Sequence, residues 1–190
     1  MIYMLTKNQL QKIEQFVESK LDSLNWYHTQ EVRKIAQKLA RLEKADKEIV
    51  DVAVLFHDIG KYKGDDGHVQ RSAEIARKFL EKENFEQRLI EEAVYCIIIH
   101  EYPWIGKANQ IRTIEAKVVC DADVIQRLSP YGVIKHSIKY QEDFDKDFNS
   151  GIKKSWEKLM KCYNVILTKN GQKLAEPGYK LIKEFYKDLL

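Results

Sequence analysis

His57 and Asp58 close an apolar run, residues 52–56, and are followed at once by Ile59, Gly60 and Lys61. An imidazole and a carboxylate side by side can both give lone pairs to a divalent cation, and this donor pair suits Mn, Fe, Co, Ni or Zn. Placed where a buried helix gives way to a glycine, such a polar pair is costly to bury without a compensating partner, and a metal ion is one. A single pair holds a metal poorly, so further donors are expected elsewhere. His28 lies upstream in Trp26-Tyr27-His28-Thr29, and Asp123 lies downstream in Asp121-Ala122-Asp123-Val124-Ile125. A cation held by imidazoles and carboxylates, with positions open to water, lowers the pKa of that water and makes hydroxide available near neutral pH. Phosphorus is the natural target of such a site.

The order His, His-Asp, Asp, centred on His-Asp-Ile-Gly-Lys, resembles the HD superfamily of metal-dependent phosphohydrolases. The chain is most similar to the small stand-alone bacterial and archaeal hydrolases of that superfamily. The likeness extends to the helix entry at Trp26-Tyr27-His28-Thr29, to residues 43–58, and to the late stretch from Lys158-Leu159-Met160 through Thr168 to Leu174-Ala175. It implies that His28, His57, Asp58 and Asp123 bind one divalent metal: Mn, Co, Ni, Fe, Zn or Mg. Asp123 fits better than Asp121 because Ala122-Asp123-Val124-Ile125 keeps the family's Ala-Asp-x-apolar pattern, with Asp121 as the competing ligand or a supporting residue.

Lys61 matches the family's His-Asp-x-Gly-Lys form. One helical turn beyond Asp58, it can offset charge growing on phosphoryl oxygens. Asp58 and Lys61 are therefore the expected catalytic pair. Some HD families bind a second metal through additional histidines, bridged by the doublet Asp. His68, eleven positions after His57, and His100 stand where such ligands belong; otherwise they touch substrate or line the pocket. Two-metal relatives often carry His-His where this chain has His100-Glu101. The resemblance implies a small phosphorylated substrate, a nucleotide above all: nucleoside triphosphates cut to monophosphate and pyrophosphate, or nucleoside monophosphates. Two alternatives stay open. One is a dinuclear phosphodiesterase acting on cyclic dinucleotides or nucleic acid; the other is a regulatory HD domain that keeps its metal without turnover.

From the residues themselves, Arg71 is a candidate to grip a phosphate bidentately. Asp65, Asp66 and Glu74 are candidates to protonate a leaving group, although Asp65-Asp66-Gly67 also reads as a turn. Trp104, in a loop after His100, is either a stacking surface for a base or an aromatic folded onto the core. His136 has no motif around it and reads as structural. Cys96, Cys120 and Cys162 are odd in number and widely spaced, which speaks against a disulfide framework and for a reducing cytoplasm.

Positioning falls to helices. Thr6 with Gln9 resembles a capping box ahead of Leu10, Ile13, Val17 and Leu21. Asp46 is placed to cap the helix that ends at His57-Asp58, and Gly60 to serve its carboxyl-terminal turn. Apolar stripes follow at Val69, Ala73, Ala76 and Leu80, and at Ile90, Ala93, Val94 and Ile97. Thr113 opens the helix carrying Asp123, and Ser129-Pro130 marks its far side. Asn170-Gly171 is expected to turn and Pro177-Gly178 to break or kink the chain. The expectation is an all-α, single-domain helical bundle of the HD type over residues 1–190, with a core at about 20–130 and helices of 131–190 packed on it.

A chain of 190 residues with 32% charged residues and mean hydropathy of −0.49 contains no apolar run long enough for a membrane span. The start, Met1-Ile2-Tyr3-Met4-Leu5-Thr6-Lys7, lacks the pattern of a signal peptide. Net charge is +3, yet residues 151–190 carry nine lysines against four acids. Their alternation with Trp156, Leu159, Tyr163, Leu181, Ile182 and Phe185 marks the solvated faces of amphipathic helices, and nucleic acid is not the expected partner.

Overall fold

A computed structural model describes residues 5–143 and 147–187. Residues 1–4, on which the reading of the amino-terminal segment partly rests, lie outside them. The described residues form nine α-helices and no strand: α1 (Lys7–Glu18), α2 (Ser23–Glu43), α3 (Lys47–Phe56), α4 (His68–Lys82), α5 (Gln87–Ile99), α6 (Ile114–Arg127), α7 (Pro130–Asp143), α8 (Phe148–Asn164) and α9 (Lys169–Lys187). None is long and apolar enough to cross a membrane.

Helix α3 is the centre. Its residues from Ile49 to Phe56 are all buried, as expected of a helix apolar on every side. It is started by Asp46, whose carboxylate accepts from the Glu48 and Ile49 N–H groups. The one charge it buries, Asp51, is met on both oxygens by Arg33 of α2, each at 2.7 Å. Helices α2, α5 and α6 surround α3. Helix α6 is nearly as enclosed, with Val118 through Gln126 all buried, and it begins at Thr113, which accepts from the Ala116 N–H. The runs at 94–99 and 118–125, rich in β-branched residues, are thus helical, the second enclosed on every face and the first on all but the side of Ile98 and Tyr95. The carboxyl-terminal helices share the same core: Leu159, Cys162, Ile166, Ala175, Ile182 and Tyr186 belong to one cluster with Leu55 and Val119. Ser137, Ser155 and Tyr186 join α7, α8 and α9 through their hydroxyls.

Three glycine-containing punctuation marks work differently from the sequence expectation. Asn170-Gly171 does not turn: both residues lie in the first turn of α9. A Cβ at Gly171 would sit 2.5 Å from an Asp121 carboxylate oxygen, so the glycine permits close approach. Pro177-Gly178 does not break α9, which runs through it. Pro177 and Lys173, whose carbonyl would otherwise accept from the N–H at 177, are both exposed residues. Gly178 packs against α6, where a Cβ would lie 2.1 Å from the Leu128 carbonyl. Gly60 likewise sits inside a 3-10 turn (Ile59–Lys63) and not at a left-handed helix end. Its N–H donates to Ser72 Oγ at 2.9 Å, and an added Cβ would stand 2.3 Å from the His68 carbonyl.

Candidate metal centre

Helix α3 ends by delivering His57 as its cap, and Asp58 follows at φ −111°, ψ 6°, where the chain leaves the α-helix for the 3-10 turn. His28 comes from the second turn of α2, Asp123 from α6, His68 from the first residue of α4, and His100 caps α5. All six side chains are buried.

Four imidazoles are oriented in one manner. Nδ1 of His57 contacts the Val54 carbonyl at 2.6 Å, that of His68 the Asp65 carbonyl at 2.7 Å, and that of His100 the Ile97 carbonyl at 2.7 Å. Nδ1 of His28 meets Gln126 Oε1 at 2.9 Å. A carbonyl oxygen accepts only, so each Nδ1 carries the proton and each Nε2 presents a lone pair. Those Nε2 atoms converge on the two carboxylates. His28 stands 3.2 Å from Asp123 Oδ1 and 3.5 Å from Asp58 Oδ2, and His57 stands 3.5 Å from Asp58 Oδ2. On the other side, Asp58 Oδ1 faces His68 at 3.4 Å and His100 at 3.9 Å. Donor atoms of His28, His57 and Asp58 lie within 4.8 Å of one another, as do those of Asp58, His68 and His100.

These donors fit a cation. Asp58 Oδ1, Asp123 Oδ1 and His68 Nε2 are buried without a hydrogen-bond partner, which is expensive unless an ion takes them up. Burial, and then the neighbouring imidazole, hold His57 and His100 below the ordinary histidine value, so both stay neutral and able to ligate. Burial would push Asp58 and Asp123 up, but the ammonium of Lys61 beside Asp58 and the guanidinium of Arg127 beside Asp123 keep both well below the usual carboxylate range.

Asp121 and Asp123 are separated by two positions, about 200° around the helix, and so face opposite ways. Asp121 points at the start of α9, accepting from the Leu167 N–H at 2.7 Å, the Thr168 N–H at 2.9 Å and Thr168 Oγ1 at 2.7 Å. Burial pushes its carboxyl up to about 6 despite those bonds. It is no part of the cluster.

Lys61 lies over the cluster with Nζ 2.5 Å from Asp58 Oδ2. Arg71 departs from its expected role. Its guanidinium donates to the carbonyls of Gly60 at 3.1 Å, Gly64 at 2.5 Å and Asp66, so it fastens the 60–67 loop in place of reaching a phosphate. The reason is local: the loop's carbonyls have no helix to bond within, and Arg71 is one turn into α4 beneath them. Asp65 and Asp66 do line the cavity, Asp65 paired with Lys139 at 2.6 Å, whereas Glu74 is exposed and does not line it. Trp104 packs on the core and carries Lys158 and Arg127 over its ring, at 4.0 and 4.9 Å.

Above the donors opens a cavity of about 740 Å³, reached by Lys61, Arg127, Lys135, Lys139 and Lys158. Arg127 bonds Asp123 at 2.6 Å. Burial, and then neighbouring cations, hold Lys135 and Lys158 below the usual lysine value. The same causes drive His136, also on the cavity wall, down to about 3. None of these four residues was singled out for the site from sequence, His136 having been read as structural. Arg127 could have been found from its four-residue spacing to Asp123; the others stand on α7 and α8 and reach the cavity only through tertiary packing.

A family model for the HD domain matches residues 25–128, more than half of the chain and all six clustered residues. The chain belongs to the HD family. No curated protein sequence matches it. Solved structures share its fold across nearly the whole length. The YpgQ protein of Bacillus subtilis, in complex with ADP, is 22% identical with a TM-score of 0.77, over 96% of this chain and 93% of the other. The Lin1889 protein of Listeria innocua is 19% identical with a TM-score of 0.77, over 98% and 96%. An HD-superfamily hydrolase of Bacillus thuringiensis is 20% identical with a TM-score of 0.73, over 96% and 95%. At such identities the likeness of this HD protein to them is one of fold.

Proposed function

We propose that this HD protein is a metal-dependent phosphohydrolase acting on a nucleotide. The observation that carries the reading is the union, in one cavity, of an imidazole–carboxylate cluster with orphaned donor atoms and five cations, of which Lys135 and Lys158 make no ion pair among the described residues. Such a field favours a ligand bearing several negative charges. The YpgQ structure that holds ADP supports a nucleotide in particular.

His28, His57, Asp58 and Asp123 would hold the divalent cation, which supplies an activated water at neutral pH. Asp58 Oδ1, without a hydrogen-bond partner among the described residues, would be the acceptor available to orient such a water. Hydrolysis would replace the P–O bond to the leaving group with one to the water oxygen, the water's protons going to solvent and to the leaving oxygen. Lys61 and Arg127 lie where they can offset charge on the phosphoryl oxygens. With Asp58 kept strongly acidic by Lys61, its part is orientation more than proton storage.

The test is phosphate and pyrophosphate release from nucleoside mono-, di- and triphosphates, cyclic nucleotides and a generic phosphodiester, with metal-stripped protein resupplied with Mn, Co, Ni or Mg. Metal-dependent release from the noncyclic nucleotides is the expected result. Silence across the panel with metal bound would leave a regulatory domain.

A second reading has its own observation. Asp58 belongs to two donor triads, one on each oxygen, which is the arrangement a bridging carboxylate needs. A dinuclear phosphodiesterase predicts two metals per chain and one in His68→Ala, read by elemental analysis; one metal in both proteins removes it.

A further inference from the structure

Two of the cavity's cations stand against one aromatic ring. Arg127 of α6 and Lys158 of α8 both line the cavity, and both lie over Trp104, with the guanidinium carbon 4.9 Å and the ammonium nitrogen 4.0 Å from its ring centroid. Trp104 itself does not line the cavity; it packs on the core, and its buried Nε1 has no hydrogen-bond partner. What the residue offers is therefore its ring. An aromatic face attracts a cation through its quadrupole but carries no net charge, so a cation held there keeps its charge for a ligand, as it would not beside a carboxylate. The neighbours leave that charge in place. Lys135 of α7 reaches only Asn25 Oδ1, at 3.4 Å, and Glu101, whose charge acts on Lys158, stands with Oε1 3.7 Å from His68 Nε2 and makes no ion pair with the lysine. His136, on the same wall with its buried Nδ1 unpartnered, is buried beside Arg127, Lys135 and Lys158 and stays neutral. Three cations thus meet at one uncharged imidazole, and of the three only Arg127 has an ion-pair partner among the described residues, Asp123 at 2.6 Å.

We propose that Arg127, Lys135 and Lys158 bind a phosphate group of the nucleotide's phosphate chain at a subsite beside the metal donors, and that Trp104 is the positioning residue that holds two of these cations there. This rests on the ligand being a nucleotide and adds where a phosphate away from the metal is held. A phosphate takes charge-assisted hydrogen bonds from a guanidinium fork and from ammonium groups alike. Its negative charge also offsets the repulsion among three cations gathered at His136. Arg127 sets the place of the subsite: tied to Asp123 by one nitrogen and laid on Trp104, it joins the donor cluster to Lys158. Two linked phosphates can then reach from one to the other. Trp104 accordingly serves as a platform under cations and not as a stacking surface for a base.

Binding measured without metal tests the subsite separately from hydrolysis. The full chain, kept in chelator, is titrated calorimetrically with inorganic pyrophosphate and with adenosine diphosphate. Lys158→Met should weaken both by about tenfold or more. Trp104→Leu should weaken both by a similar factor, whereas Trp104→Phe, which keeps a ring under the cations, should stay within about threefold of the wild type. In the Lys158→Met background Trp104→Leu should cost clearly less than it does alone, because part of what the ring holds is already gone. Unchanged affinity in Lys158→Met, equal losses in Trp104→Phe and Trp104→Leu, or fully additive losses in the double variant would overturn the proposal. So would a loss confined to pyrophosphate, since the subsite would then not serve a nucleotide. Should Trp104→Leu disturb the fold, tryptophan emission carries the test: pyrophosphate should change it in the wild type and much less in Trp104→Phe, and an equal change in both overturns the part given to Trp104. Binding that follows these variants in a protein silent toward every nucleotide would leave the subsite standing and remove only the hydrolytic reading.

Discussion

Stripping divalent metal should reduce turnover by at least about a thousandfold, and Asp58→Asn should do the same with metal present. Asp58 is the one residue whose two oxygens face all the other imidazoles, Oδ2 toward His28 and His57 and Oδ1 toward His68 and His100. The effect has a readout independent of substrate. Metal that binds only the folded chain stabilises it by about 2.7 kcal/mol at a hundredfold excess over its dissociation constant. For a chain of 190 residues that is roughly 5–10 °C in Tm. The wild type should show this rise on adding metal, and Asp58→Asn and His57→Ala should not. Undiminished turnover after rigorous stripping would remove the mechanism outright.

The second large effect separates two aspartates only two residues apart. Asp123→Asn should abolish the metal-induced rise in Tm. Asp121→Ala should leave metal affinity unchanged but lower stability by about 3 kcal/mol, because the Leu167 and Thr168 N–H groups and the Thr168 hydroxyl lose their common acceptor inside the protein. Urea unfolding and calorimetric titration of both variants decide it. Loss of metal binding in the Asp121 variant, with Asp123→Asn still loading normally, would reverse the assignment.

The clustering of these imidazoles and carboxylates was legible because their residue types are costly in apolar surroundings and their order is distinctive. His57-Asp58 interrupts an otherwise apolar stretch, and Asp46 and Thr113 announce the helices that carry the doublet and Asp123. Between Asp121 and Asp123 the family resemblance favoured the second, and the structure supplies the reason in the opposite faces of α6. The misreadings have a common origin. Gly60, Gly171 and Gly178 were read as punctuation, yet each is small because another chain segment passes within contact distance, which no local pattern reveals. Arg71 was read by charge alone, while its three carbonyl partners belong to a loop whose path depends on tertiary packing. Lys135, His136 and Lys158 reach the cavity by the same kind of packing, from helices that carry no motif.

One side of the cavity and the candidate donors are carried by different lengths of chain. Every candidate metal donor lies before Ser129, whereas Ile134, Lys135, Ile138 and Lys139, which line the cavity, follow it on α7, a helix packed mainly on α8 and also against α6. Substitutions on the cavity side of α7 are therefore expected to change which ligands are admitted, while the residues that brace the imidazole–carboxylate cluster stay in place.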